Sequence, residues 1–135
     1  MGTALPYSIW NPNLNARDYY LDLQKAIHAN PHVFQSDMKF EEIDTNECYV
    51  RGVLMLMDGF ELHVAEYVIT FPTLSRPKYR YHLQTSEGIL VSRWDNAPHH
   101  SEMSSFPDHR HDEKGVHPST PMSIPDVLGV LLKFI

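Results

Sequence analysis

The chain has 135 residues, 42% of them hydrophobic and 21% charged. That size and composition predict one globular domain, residues 1–135, with a core of its own, and exclude a disordered chain. A formal net charge of -6 argues against broad non-specific nucleic-acid binding but leaves room for a small basic site. The single cysteine, Cys48, excludes an internal disulfide or a Cys-rich zinc site, and its apolar neighbours predict a small buried residue in a strand. The start, MGTALPYSIWNPN, lacks a basic-then-apolar leader, and no apolar run approaches the roughly 20 residues of a membrane helix, so a soluble cytoplasmic protein without a membrane partner is expected.

The first dozen residues, with Pro6 and Pro12, read as loop. Asn15 is then a good N-cap with Asp18 three residues on, and Leu14 and Tyr19 occupy the hydrophobic-staple positions. Tyr19, Tyr20, Leu23 and Ile27 recur at helical spacing, and Asn30-Pro31 stops the helix. Strands follow: a weak one over Met38 to Ile43, then Cys48 to Met57, an Asp58-Gly59 hairpin signal, and Phe60 to Phe71. In Lys78 to Gln84, Tyr79, Tyr81 and Leu83 alternate with Lys78, Arg80 and His82, which predicts a core face and a solvated or phosphate-facing basic row.

Glu87-Gly88 turns the chain into a strand, Ile89 to Asp95. Its face with Val91, Arg93 and Asp95 is expected to point inward, with Arg93 paired to a buried Glu66 as a structural alternative to a catalytic role. Pro98 to Pro121 reads as a long polar loop, a length often tied to function. Ser123 caps the last helix with Asp126 behind it, Met122 and Val127 as its staple, and Pro125 in its first turn. The expected fold is therefore α+β: a single antiparallel sheet of four to five strands flanked by an N-terminal and a C-terminal helix.

The chemistry concentrates in Arg93 to His111, RWDNAPHHSEMSSFPDHRH. Five of the 9 histidines lie between His99 and His117, and histidine both exchanges protons near neutral pH and binds metals. In extended backbone His109 and His111 point the same way, so with His99 or His100, Asp95 and Asp108 available as third ligands they could hold a divalent metal such as zinc. No H-E-x-x-H motif supports that, and solvated loop histidines are the plainer alternative. Arg76 to His82, RPKYRYH, mixes cations with aromatic rings, as single-stranded nucleic acid requires. Asp95-Asn96 would equally serve the turn leaving its strand. There is no nucleophile elbow and no Gly-rich phosphate loop.

From Tyr20 onward the chain resembles the TumE-type family, toxin components of prokaryotic toxin–antitoxin systems. The resemblance rests on YRYHLQ (Tyr79 to Gln84), RWDNAPHH (Arg93 to His100), FPDHRH (Phe106 to His111) and SIPDVL from Ser123. The family pattern is R-[YF]-D-N-A-P-H-H followed by F-P-H-H-K-H. Here Trp94 stands for a smaller aromatic, Asp108 for a histidine and Arg110 for a lysine. The resemblance implies a cytoplasmic toxin with a helix-turn-helix antitoxin as partner.

Three functions follow as expectations. The first is a metal-independent endoribonuclease without a cofactor. In it His99 and His109 are acid and base with His111 able to take either role, Arg93 and Arg110 stabilise the developing charge, and Lys78, Arg80, Asp95 and Asn96 bind substrate RNA. The second is a metal-dependent hydrolase or nuclease using His109, His111, His99 and Asp95. The third is a non-catalytic binding protein that presents the polar loop to a partner.

Overall fold

The computed structural model describes residues 14–135. The loop expected around Pro6 and Pro12 lies outside them. Helix α1, Ala16–Ala29, begins at a capping box in which the Asn15 side chain accepts from the Asp18 backbone N–H and the Asp18 carboxylate accepts from that of Asn15. Seven strands follow: β1 Val33–Asp44, β2 Glu47–Leu56, β3 Glu61–Ile69, β4 Ser75–Gln84, β5 Leu90–Asp95, β6 His109–Asp112 and β7 Gly115–Pro118. Helix α2, Ile124–Val130, opens with a second capping box between Ser123 and Asp126 and runs into a 3₁₀ turn, Leu131–Lys133.

The strands form one antiparallel sheet in strict chain order, β1 to β7. The architecture is α+β with two helices and a single antiparallel sheet, but the sheet has seven strands rather than four to five. The additional hairpin is β6–β7, inside the segment expected to be loop. Its sequences, HRHD and GVHP, carry little apolar content because neither side chain face at that edge needs to enter the core. A hairpin turns at Asp58-Gly59, but through the three residues Met57–Gly59 rather than the two expected, with φ of 65° at Asp58 and 81° at Gly59.

One face of the sheet carries the core. Cys48, Val50, Leu54 and Leu56 of β2, Leu62, Val64 and Val68 of β3, Tyr79, Tyr81 and Leu83 of β4, and Trp94 of β5 are buried there against Tyr19, Leu23 and Ile27 of α1 and Ile124, Val127 and Leu128 of α2. Burial pushes the Cys48 thiol up to about 12, so it behaves as an apolar side chain. Gly52 allows β1 and β2 to close up: a Cβ there would meet the Asp37 carbonyl oxygen and the Met38 sulfur.

Glu66 also points into the core, at 2% exposure. It accepts from the hydroxyls of Tyr19 and Tyr81, both at 2.5 Å, and Arg76 Nε lies 3.3 Å away. Arg93 is not its partner. In β5 the buried side is that of Ser92 and Trp94, so Val91, Arg93 and Asp95 face the other side of the sheet. Among the described residues no helix or strand covers that second, open face, and no helix is long and apolar enough to cross a membrane.

Candidate functional site

Pairing of β5 with β6 builds the site. The register sets Arg93 opposite His111 and Asp95 opposite His109, so all four side chains rise together from the open face. Asp95, 6% exposed, is the hub. Its Oδ1 lies 2.9 Å from His109 Nε2 and accepts from the Ala97 backbone N–H at 3.0 Å. Its Oδ2 accepts from Arg93 Nε at 3.2 Å and stands 3.7 Å from His111 Nε2.

His109, 1% exposed, is held from both sides, because its Nδ1 is 2.8 Å from the Pro107 carbonyl oxygen. Both ring nitrogens therefore face oxygen atoms, which fixes the ring in place. His111 differs. Partial burial, then the neighbouring Arg93 cation, move its pKa below the usual 6.5, against the pull of Asp95, which favours the uncharged ring.

The third ring is His100. It sits 5.4 Å from His109 and 5.6 Å from His111 between centroids, while its Nδ1 reaches Glu102 at 3.2 Å. The sequence offers His99 and His100 equally; the left-handed backbone at His100, φ 57°, turns its ring onto the pair. His99 is exposed at the rim. Together His99, His100, His109, His111, Arg93 and Asp95 border a cleft of about 480 Å³, whose other wall carries Lys78 and Arg80.

Two expected site residues stand elsewhere. Arg110 projects from the helix-covered face of β6, where it donates to Ser92 Oγ at 3.2 Å and Asp112 Oδ2 at 3.0 Å and lies over the Phe134 ring. Strand alternation between His109 and His111 dictates this. Asn96 is occupied with the backbone of β4: its Oδ1 accepts from the Tyr79 N–H at 2.9 Å and its Nδ2 donates to the Arg76 and Pro77 carbonyls, both at 3.2 Å. Asp108, at the position where the family pattern has histidine, accepts from the Tyr79 hydroxyl at 2.6 Å and ties the loop before β6 to β4.

Of the possible metal donors, one set converges among the described residues: Asp95, His109 and His111, with ligand atoms all within 4.8 Å of one another. His99 is not part of it.

A small α+β protein with both helices on one sheet face, and a carboxylate–histidine–arginine cleft on the other, is the class this geometry defines. The family model for Toxin TumE matches residues 23–135, and the chain belongs to that family. It is thus a toxin of the toxin–antitoxin type, with an antitoxin as its implied partner. Comparison with the curated proteins and with the solved structures finds no match.

Proposed function

We propose that the protein is a metal-independent endoribonuclease toxin whose site is the cleft between β4, β5 and β6. The observation that carries this reading is the place of His111: an imidazole whose pKa burial and Arg93 lower, facing a cleft that also holds three further histidine rings and the cations Lys78 and Arg80. His111 takes the proton from an RNA 2′-hydroxyl. The 2′-oxygen then attacks the adjacent phosphorus, the bond to the 5′-oxygen breaks, and that oxygen takes a proton from His100 or His99 at the cleft mouth. The products are a 2′,3′-cyclic phosphate and a 5′-hydroxyl, and no co-reactant is needed.

Arg93 stabilises the charge on the pentavalent phosphorus, and Arg80 and Lys78 hold neighbouring phosphates. Buried His109 acts through Asp95, fixing the carboxylate that orients Arg93 and His111. Arg110, on the opposite face, has no part in the step. The antitoxin partner is proposed to be of the helix-turn-helix type, and the site of action to be the cytoplasm.

The test is cleavage of a defined single-stranded RNA by the purified chain, with and without EDTA. Cleavage that persists in EDTA, falls by at least about 100-fold in His111→Ala, and stays near the wild-type level in Arg110→Ala supports the reading. Full activity in His111→Ala overturns it.

A second reading has its own support. Asp95, His109 and His111 offer the N, N, O donor set of a catalytic zinc site, and the Pro107 carbonyl on His109 Nδ1 is the outer partner that ligating histidines use. A metal there would supply an activated water to a hydrolase. Activity abolished by EDTA and restored by zinc, with a stoichiometric metal in elemental analysis, would select it.

A further inference from the structure

The histidine cleft occupies only one end of the open sheet face. Cross-strand register aligns Lys39, Arg51, Ala65, Arg80, Asp95 and His109 in one row over β1 to β6. Five strand-to-strand steps of about 4.8 Å carry that row roughly 24 Å. Lys39, Arg51 and Arg80 make no ion pair among the described residues, whereas Arg17, Arg76, Arg93 and Arg110 each have a carboxylate. Lys39, Arg51, Lys78 and Arg80 thus stand without an ion pair among the described residues on the face without helices, in a chain whose net charge is -6, with the Asp37 carboxylate at the border of the row.

Ala65 lies between Arg51 and Arg80 and leaves a dip there. A concavity of about 510 Å³ opens on one side of these three residues. A second, of about 340 Å³, opens on the other side, bounded also by Tyr49, Tyr67 and Lys78. Lys78 and Arg80 are shared in turn with the histidine cleft, so the three concavities stand side by side from β1 to β6. Beside it the rings of Tyr49 and Tyr67 lie 5.1 Å apart, and Tyr49 is 41% exposed. An exposed tyrosine backed by the half-buried Tyr67, whose hydroxyl donates to Glu47, next to unpaired cations suits a ligand that alternates anionic groups with flat rings.

We infer that the open face is a track for single-stranded RNA, with phosphates on Arg51 and Arg80 across the Ala65 dip and a base against Tyr49 and Tyr67, delivering the strand to His111. A single strand fits because its bases are free to lie on the rings, while a duplex keeps them stacked inside. The choice of ligand rests on the RNA reading of the cleft, so the experiment separates binding from cleavage.

A short fluorescein-labelled RNA carrying 2′-O-methyl groups cannot be cut through its 2′-oxygen. Its affinity for the full chain is measured by fluorescence anisotropy over a potassium chloride series, with circular dichroism to verify folding of each variant. Arg51→Ala and Ala65→Glu should each weaken binding about tenfold, and Arg51→Ala should lower the log–log salt slope by about 0.7, the share of one phosphate contact on a single strand. Tyr49→Ala should cost about fivefold, as loss of a stacking ring does.

Tight binding by the wild type together with absent cleavage would remove the ribonuclease step and leave the track standing. No binding by the wild type, or Arg51→Ala and Ala65→Glu within about twofold of it, overturns the track. So does equal affinity for duplex RNA, or loss of antitoxin binding in those two variants with RNA binding intact.

Discussion

His111 and His109 sit two residues apart on the same strand face, yet their surroundings give them different work. The pKa of His111 is lowered from the usual 6.5, mainly because the ring loses water and secondarily because Arg93 is beside it. A base of this kind keeps its lone pair as pH falls to 6.5, so the acidic limb of the cleavage profile should have its midpoint below that value. Arg93→Gln, which removes the nearby cation, should move that midpoint upward as well as slow cleavage; a profile whose midpoint does not move would show that Arg93 does not set the titration of His111.

The same shift acts on folding. His82 is lowered too, by desolvation and then by Arg80 and Arg93. For both rings the unfolded chain binds protons at a pH where the folded chain does not. Stability should therefore rise with pH through the window just below 6.5 and level off above it. Melting temperatures at mildly acidic and neutral pH check this, and His82→Asn should flatten the difference.

At the scale of elements, both helices were legible because Asn15 and Ser123 each carry an aspartate three residues on and close a capping box. The basic and aromatic faces of β4 were equally legible, since Lys78 to Gln84 alternates without exception. The β6–β7 hairpin was not. Its pairing depends on a partner strand, β5, whose own inward face could not be fixed from Val91, an apolar side chain that in fact lies on the open side with Arg93. That one inversion also produced the expected Arg93–Glu66 pair. The cluster of His109, His111, Arg93 and Asp95 was readable as a set, because period-two spacing puts each pair on one face. The same period, carried through Arg110, removes that residue from the set. His100 over His99 depended on a single left-handed backbone angle, which no side chain pattern announces.

Gly52 belongs to this scale as well. Gly52→Ala forces apart β1 and β2 along the length of the edge hairpin, and should cost about 1–3 kcal/mol, the range of an overpacked core site. Urea unfolding measures it. A loss well under that range would mean that β1 shifts freely at the edge.

For the whole molecule, the division of labour between the two sheet faces is the main fact. The covered face holds the core and, within it, one buried carboxylate, Glu66, whose partners come from α1, β4 and the start of β4 at Arg76. Glu66→Ala would leave two tyrosine hydroxyls without their acceptor and the Arg76 guanidinium without its counter-charge. The expected loss is about 3–5 kcal/mol, as for a buried pair stripped of one member. Guanidinium unfolding checks this, and a loss below about 1 kcal/mol would show that water replaces the carboxylate. The open face is free of such duty, and it is there that histidines and unpaired cations collect.

The strict chain order of the sheet sets a timetable. Each strand pairs with the one just made, and the widest gap falls between β5 and β6, which residues 96–108 separate. Synthesis delivers β1 to β5 before residues 109–112 exist, and until those arrive Asp95 has no His109 and Arg93 has no His111 opposite it. Five strands thus stand in place while the cluster of Arg93, Asp95, His109 and His111 is still missing one of its two strands, and α2, the last piece of the core, is made only after that cluster has both.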